Sequence, residues 1–393
     1  MIEINNKKEC CGCTACYTIC PKKCIQMLED NEGFKYPHVN KEKCINCRLC
    51  DKVCPILNKT ETCSEKKAYI VRTKNKEVLE NSTSGGFFSP LSEYIINKNG
   101  WVYGVIFNND FEVIHYGTDK KKEVYKFRGS KYVQSNLNNI FSEIKMKLDS
   151  KTLVLFSGTP CQIEGLKNYL KFNYDNLVTL DVICHGTPSP KLWRMYIEKM
   201  SKKYHSKIAK VNFRNKTYGY HCGTMMIEFE NGKKYYGSAR TDVMLKSFFE
   251  ELSSRPACYD CKFKTRNHRS DFTVYDSWNV NKLNNRLKDD DKGFTNLIVN
   301  TKKGEEILEK LKKSLECYES DFEKAIKYDG IMVEHSAIEN KYRNVYYNEI
   351  DNLGVEKNLQ KYVPIKFYDK IIEKSKIIFY KLGLIKIIRK MKG

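Results

Sequence analysis

One cysteine spacing occurs twice near the start of this chain and limits the folds and the chemistry open to it. The first copy comprises Cys10, Cys13, Cys16 and Cys20 followed by proline, and the second comprises Cys44, Cys47, Cys50 and Cys54 followed by proline. Both read C-x2-C-x2-C-x3-C-P, the run that binds a 4Fe–4S cluster in bacterial two-cluster ferredoxins, where the fourth cysteine of each run binds the other cluster. We therefore assign one cluster to Cys10, Cys13, Cys16 and Cys54, and the other to Cys44, Cys47, Cys50 and Cys20.

Clustered cysteines can also form a disulfide framework or a zinc site. The first residues, MIEINNKKEC, contain no apolar segment of the kind that a secretory signal needs. Structural zinc sites usually pair two separated C-x2-C units, which is not the spacing here. Seventeen cysteines without a signal favour a reducing cytosol and use in metal or redox chemistry. Cys11 and Cys24 fit no ligand position, and we interpret Cys11 as a spare thiol beside a ligand.

The charge balance limits the classes of partner. The chain has 69 Lys and Arg against 48 Asp and Glu, a formal net charge of +21. Such an excess suits nucleic acid, anionic lipid or acidic proteins. The cations are spread along the chain and no zinc-finger, RNA-recognition or basic-zipper pattern occurs, so nucleic acid is not expected. No apolar run approaches the length of a membrane span.

The sequence predicts three regions. Residues 1–58 are expected to form a small ferredoxin-like domain with a hairpin turning at Asn31-Glu32-Gly33. A polar linker follows, in which Cys63 matches no cluster pattern. Residues 67–355 alternate strand and helix patterns, which predicts an α/β domain built on an α+β mixed sheet. Within this domain, the sequence predicts a helix over 136–148 and an antiparallel insertion over 207–237. No G-x-G-x-x-G fingerprint occurs, so an ordinary Rossmann nucleotide site is unsupported.

The third region, 356–393, is predicted to be a basic amphipathic C-terminal helix. Its last part, from residue 365, mixes isoleucine, leucine and phenylalanine with many lysines. A helix of this kind can lie on an anionic membrane surface, or it can pack on its own domain with solvated lysines. We therefore expect a cytoplasmic protein, with the inner face of the membrane as an alternative contact for this end of the chain.

A second set of cysteines lies outside the two runs. Cys161 and Cys184 stand where a buried strand meets a turn, and Cys258 and Cys261 form a C-x2-C loop. Any one of them could be a buried, unreactive side chain. Four thiols presented by the turns of one domain better fit a four-thiolate site holding a third 4Fe–4S cluster or tetrahedral zinc. A redox-active disulfide between the last two is a third option.

Two short segments suggest a phosphate-bearing cofactor. The segment NSTSGGFF contributes Ser82, Thr83, Ser84, Gly85 and Gly86 before a predicted helix, whose N-terminus could bind a phosphate or simply be capped by a hydroxyl. The segment RGSKY adds a second set, Gly129, Ser130, Lys131 and Tyr132, after an arginine. His185 could be a proton donor or a structural histidine. No catalytic residue is assigned from the sequence.

Five segments together resemble the coenzyme F-420 hydrogenase/dehydrogenase beta-subunit family: STSGGFFS, RGSKYVQS, LFSGTPCQIEGLKNYL, DVICHGTPSPKLW and RPACYDCKFK. The resemblance implies a flavoprotein in which FAD exchanges electrons between iron–sulfur clusters and a two-electron partner. It also implies that Cys161, Cys184, Cys258 and Cys261 match the family's cluster ligands, and that the STSGG and GSKY segments lie at the flavin site. The segment DFTVYDSWNV departs from the family, because Tyr275 and Asn279 replace glycines and Ser277 replaces an aromatic residue.

The leading hypothesis is an oxidoreductase with three 4Fe–4S clusters and one flavin, whose basic surface suits ferredoxin or another acidic redox partner. A small molecule or an intermediate of glycan assembly would be the substrate. The alternative is a non-catalytic electron carrier or scaffold subunit with zinc at the second four-cysteine site and no flavin.

Overall fold

The computed structural model describes residues 1–60 and 65–384. The N-terminal part pairs two strands with two short helices: β1 (Ile25–Glu29), β2 (Lys35–Val39), α1 (Ala15–Ile19) and α2 (Leu49–Val53). The strands are antiparallel, and the turn between them includes Gly33 at φ +91°. A Cβ at Gly33 would stand 2.2 Å from Cβ of Lys191, so this turn packs tightly on the rest of the protein. The predicted hairpin is therefore present.

The core of the protein is an eight-stranded mixed sheet with the strand order β13-β3-β12-β11-β7-β6-β4-β5. Strands β11, β7, β6 and β4 are parallel neighbours, and the other pairs are antiparallel. A mixed α/β sheet was predicted, and this prediction is confirmed. The strands are β3 (Lys67–Thr73), β4 (Trp101–Phe107), β5 (Val113–Thr118), β6 (Val154–Gly158), β7 (Leu177–Val182), β11 (Phe272–Ser277), β12 (Phe294–Val299) and β13 (Leu315–Ser320).

The helices that connect and cover these strands bury apolar side chains against them. One core includes Leu91, Leu155 and Phe272, and another includes Phe141, Phe156 and Leu166. The helices are α3 (Lys76–Glu80), α4 (Phe88–Ile96), α5 (Ile140–Asp149), α6 (Pro160–Leu170), α7 (Pro190–Tyr204), α8 (Val243–Phe249), α9 (Val280–Leu283), α10 (Lys302–Leu311), α11 (Phe322–Asp329) and α12 (Ile331–Glu334).

One predicted helix starts later in the structure than the sequence suggests, and the predicted antiparallel insertion is present. The helix predicted over 136–148 begins at Ile140, because Asn136 is extended and exchanges backbone hydrogen bonds with β5 at Val113 and His115, and Asn138 has φ +44°. Residues 207–237 form the predicted antiparallel insertion, a separate sheet ordered β10-β9-β8. Its strands are β8 (Ile208–Asn215), β9 (Thr224–Phe229) and β10 (Lys234–Ser238).

The C-terminal region differs from the single helix predicted over 356–393. Helix α13 (Arg343–Tyr362) is kinked at Gly354, and α14 (Phe367–Lys381) starts after a break at Val363. Proline at position 364 explains the break, since a residue before proline is disfavoured in helical geometry. Residues 385–393 and Cys63 lie outside the described part. Among the described helices, none is both long enough and apolar enough to cross a membrane.

Candidate functional site

The second predicted cysteine set surrounds a small pocket of about 20 Å³. Cys20, Cys44, Cys47 and Cys50 all line this pocket. Cys47 is exposed whereas Cys50 is buried, so the pocket reaches the protein surface. A fifth thiol, that of Cys24, has its Sγ 3.3 Å from Sγ of Cys20. Cys24 lies outside the repeated run, so the cysteine spacing predicts no role for it.

The first predicted set is more deeply enclosed. Burial raises the pKa of the Cys16 thiol, and the neighbouring thiols of Cys10 and Cys54 raise it further. The thiol of Cys13 also interacts with those of Cys16 and Cys54. The fold therefore brings Cys54, from the second run, to the first three cysteines of the other run, which is the cross-over that the two-cluster spacing predicts.

The third set gathers at the carboxyl ends of two parallel strands. Cys161 follows β6 in the first turn of α6, and Cys184 follows β7. The loop that carries Cys258 and Cys261 is fixed nearby, since the backbone N–H of Arg255 donates to the Thr187 carbonyl. All four cysteines line one small cavity of about 40 Å³.

The chemistry of this third set fits a cationic centre. Burial raises the pKa of Cys184 and of Cys258, and it raises the pKa of Cys261 to about 12. Neighbouring thiols add to each shift, so the four thiolates need a positive centre to ionise together. Among the described residues, no group of three or more His, Cys, Asp or Glu side chains is positioned to hold a single metal ion.

Cys11 and Arg255 link the first set to the third. The Cys11 thiol is within hydrogen-bonding reach of both Cys13 and Cys161, and it lines the third cavity. The buried Arg255 guanidinium donates to the carbonyl oxygens of Cys10 and Lys35 and to the side chain of Gln134. Neither residue carries a sequence signal for this role. The contact of Cys11 with Cys161 and those of Arg255 with Cys10 and Lys35 join positions far apart in the chain.

A larger cavity, of about 460 Å³, opens beside the third set. Its volume lies within the roughly 300–1,000 Å³ of an ordinary ligand pocket. The segments predicted to hold a cofactor contribute most of their residues to its wall: Ser82, Thr83, Ser84, Gly86, Gly129, Ser130, Lys131 and Tyr132.

The two predicted cofactor segments contact each other. The backbone N–H of Ser130 donates to Oγ1 of Thr83 over 2.8 Å, and their hydroxyl oxygens are 3.1 Å apart. Gly85 instead packs against β3, where a Cβ would stand 2.3 Å from the carbonyl oxygen of Val71. Gly85 therefore shapes the loop from behind, while the hydroxyl-bearing residues face the cavity.

Three basic residues line the cavity, Arg128, Lys131 and Arg214. Burial lowers the pKa of Lys131 to about 7, and its Nζ donates to three backbone carbonyls, those of residues 127–129. Arg214, from the end of β8, donates to Tyr132 and Asp276 and lies over the ring of Trp278. The insertion sheet thus contributes a site residue that the sequence analysis did not single out.

The third cysteine cavity and the large cavity share a wall. Residues 183–187 line both, including Cys184 and His185. His185 hydrogen-bonds through Nε2 to Oε1 of Glu251, and its ring packs edge-on against Phe248. A group bound by the cysteines would therefore adjoin a ligand in the large cavity.

Comparison with known families identifies both parts of the chain. Residues 9–57 match the family model described as a 4Fe–4S dicluster domain. Residues 151–325 match the model that describes the C terminus of the beta subunit in coenzyme F-420 hydrogenase/dehydrogenase. Those residues are similar to this family. The resemblance drawn from the sequence is confirmed, and the protein is an iron–sulfur protein of the oxidoreductase type, related to the F-420 hydrogenase beta subunit.

Among solved structures, the chain is similar to one from a xenon-derivatised F-420-reducing NiFe hydrogenase complex from Methanosarcina barkeri. The two share 16% sequence identity with a TM-score of 0.44, over 64% of this chain and 81% of that chain. No curated protein matches the chain. The eight cysteines of the two runs lie within the dicluster match, and the third set lies within the beta-subunit match.

The departures from the family pattern occur at the large cavity. Within the beta-subunit region, Tyr275 lies in the cavity wall. Asn279 donates through Nδ2 to Asp329, and Ser277 also contacts this carboxylate. Asp329 lines the cavity as well. Of the three departures, Tyr275 thus lines the cavity itself, whereas Ser277 and Asn279 reach it only through Asp329.

Proposed function

We propose that the protein is an iron–sulfur flavoprotein oxidoreductase with three 4Fe–4S clusters and one FAD. The clusters would be held by Cys10, Cys13, Cys16 and Cys54, by Cys20, Cys44, Cys47 and Cys50, and by Cys161, Cys184, Cys258 and Cys261. The flavin would occupy the large cavity.

The observation that carries this proposal is the shared wall at residues 183–187. Adjoining sites favour electron transfer between a cluster and a flavin, because the transfer rate falls steeply with distance. Clusters carry single electrons, and a bound flavin exchanges one or two, which suits a two-electron substrate. Cys11, within reach of Cys13 and Cys161, supports continuity from the dicluster domain to the third site.

The residues of the large cavity have distinct proposed tasks. The hydroxyls of Thr83 and Ser130 would hydrogen-bond the anionic part of the flavin. The positive charge of Lys131, whose three N–H groups donate to backbone carbonyls, would attract it electrostatically. The guanidinium of Arg214 would orient a polar group of flavin or substrate, since its Nη2 has no hydrogen-bond partner among the described residues. Tyr275 would limit the space left for substrate.

The electron partner is proposed to be ferredoxin or another acidic redox protein. The pocket of the second set reaches the surface, and exposed cations flank it, including Lys22 and Arg48. Electrostatic attraction of an acidic carrier to this rim would speed encounter and would weaken with salt. An intermediate of glycan assembly is one class of substrate, supported by the family resemblance alone.

The decisive experiment is anaerobic purification followed by metal, sulfide and flavin analysis of one sample. We expect about twelve irons from three four-iron clusters, with one FAD. The alternative, a carrier or scaffold subunit, predicts about eight irons, one zinc and no flavin. That second result would contradict the flavoprotein proposal and leave only the dicluster domain in place.

A further inference from the structure

Helix α14 exposes an apolar stripe along its length. Phe367, Ile371, Ile378 and Leu382 are 78%, 49%, 55% and 63% exposed. Their spacing of four, seven and four residues places them on one side of a helix, at about 100° of rotation per residue. Exposed apolar residues are common singly, whereas a continuous stripe indicates a surface that another body covers.

The opposite side of α14 attaches it to the protein. Glu373 is the one buried residue of the helix, and its Oε2 accepts a hydrogen bond from Oγ of Ser238 over 2.5 Å. Seven residues later, Tyr380 packs edge-on against Tyr218 with ring centroids 5.3 Å apart. Glu373 and Tyr380 therefore share a face, and helical rotation places the apolar stripe roughly opposite to it. The stripe points away from the protein.

Cations border the stripe. Lys370, Lys374 and Lys381 follow Phe367, Ile371 and Ile378 by three residues each, and all three lysines are exposed. Within residues 1–60 and 65–384 none of them forms an ion pair with an acidic side chain. The sequence beyond Leu384 adds four more cations and no acid. This charge suits a phosphate-rich surface.

We propose that α14 lies in the surface of an anionic lipid bilayer. The apolar stripe would enter the boundary between headgroups and acyl chains, and the flanking lysines would meet lipid phosphates. Charge complementarity favours lipid over a second apolar protein face, because a row of cations beside the stripe matches a uniformly anionic layer. The opposite face of α14 is attached to the protein through Glu373 and Tyr380. Binding of α14 to the bilayer would therefore also set the orientation of the cavities relative to the membrane.

The test is co-sedimentation of the full-length, cluster-loaded protein with vesicles. Vesicles of phosphatidylcholine mixed with phosphatidylglycerol should bind the protein, and pure phosphatidylcholine vesicles should bind it much less. Ile371→Asn and Ile378→Asn should each weaken binding at least about tenfold. Lys370→Gln and Lys374→Gln should each weaken it about fivefold.

A matched control is Ile338→Asn, which changes an isoleucine that is 89% exposed outside α14 and should leave vesicle binding unchanged. Iron content and the visible spectrum should be the same for all variants, which separates this result from any failure of the cofactor proposal. Absence of binding to anionic vesicles would overturn the proposal. So would a dimer that Ile371→Asn converts to a monomer, because a second copy would then cover the stripe.

Discussion

Gly165 lies directly against Cys13: a Cβ on Gly165 would stand 2.9 Å from Sγ and 2.8 Å from Cβ of that cysteine. Gly165 belongs to α6, whose first turn carries Cys161. The helix that carries a cysteine of the third set thus packs, without a side chain in between, on a cysteine of the first set. This contact explains how the dicluster domain and the beta-subunit region form one continuous arrangement of cysteines.

Replacement of this glycine should disrupt the first cluster site. In an unobstructed helix Gly→Ala stabilises by about 0.5–1 kcal/mol. Here the added methyl meets the Cys13 thiol, so Gly165→Ala should lower the iron content by about four per chain and reduce thermal stability. Iron analysis and electron paramagnetic resonance of the reduced protein would measure this. Full iron content with a raised Tm would show that the helix is free to shift.

Removal of a ligand from the third site should spare the dicluster domain. Cys258→Ser should lower the iron content from about twelve to about eight per chain if the site holds a 4Fe–4S cluster. Cys317→Ser is the matched control, since Cys317 lies on β13 away from the cavities. Loss of zinc in place of iron from the first variant would favour the carrier or scaffold alternative.

The cavity should bind an anionic flavin more weakly as the pH rises. Burial lowers the pKa of Lys131 to about 7, so its ammonium loses its proton as the pH rises through neutrality. The affinity of flavin-depleted protein for FAD should fall by up to about tenfold between about pH 6 and about pH 8. Fluorescence quenching would measure it. Lys131→Met should flatten the dependence, whereas Lys126→Met, outside the cavity, should retain it.

Arg255 should hold the two regions together. Arg255→Met leaves the carbonyl oxygens of Cys10 and Lys35 without their buried, charged donor. We expect a destabilisation of about 3 kcal/mol, measured as a lower Tm with earlier loss of cluster absorbance. Arg266→Met removes more exposed ion pairs, with Glu323 and Glu334, and should cost about 1 kcal/mol or less. Equal effects of both variants would argue against a special role for Arg255.

Local sequence patterns predicted the elements that are stabilised by contacts between residues near each other in the sequence. The hairpin turn at Asn31-Glu32-Gly33 follows from turn preferences. The start of α5 was placed four residues early, because Asn136 pairs with β5 rather than with its own helix. The break between α13 and α14 was missed, although the proline at position 364 was a signal for it.

The cysteine runs and the family-like segments predicted the dicluster domain and the similarity to the F-420 hydrogenase beta subunit. Cysteines two or three residues apart meet in one short loop, so local spacing brings them together. Only the tertiary structure decided that the third cysteines share one cavity, that Cys11 lies between Cys13 and Cys161, that Arg214 reaches the large cavity, and that α14 turns its apolar stripe outward. These contacts join residues tens to hundreds of positions apart, and the packing of the whole sheet sets them. No local pattern encodes that packing.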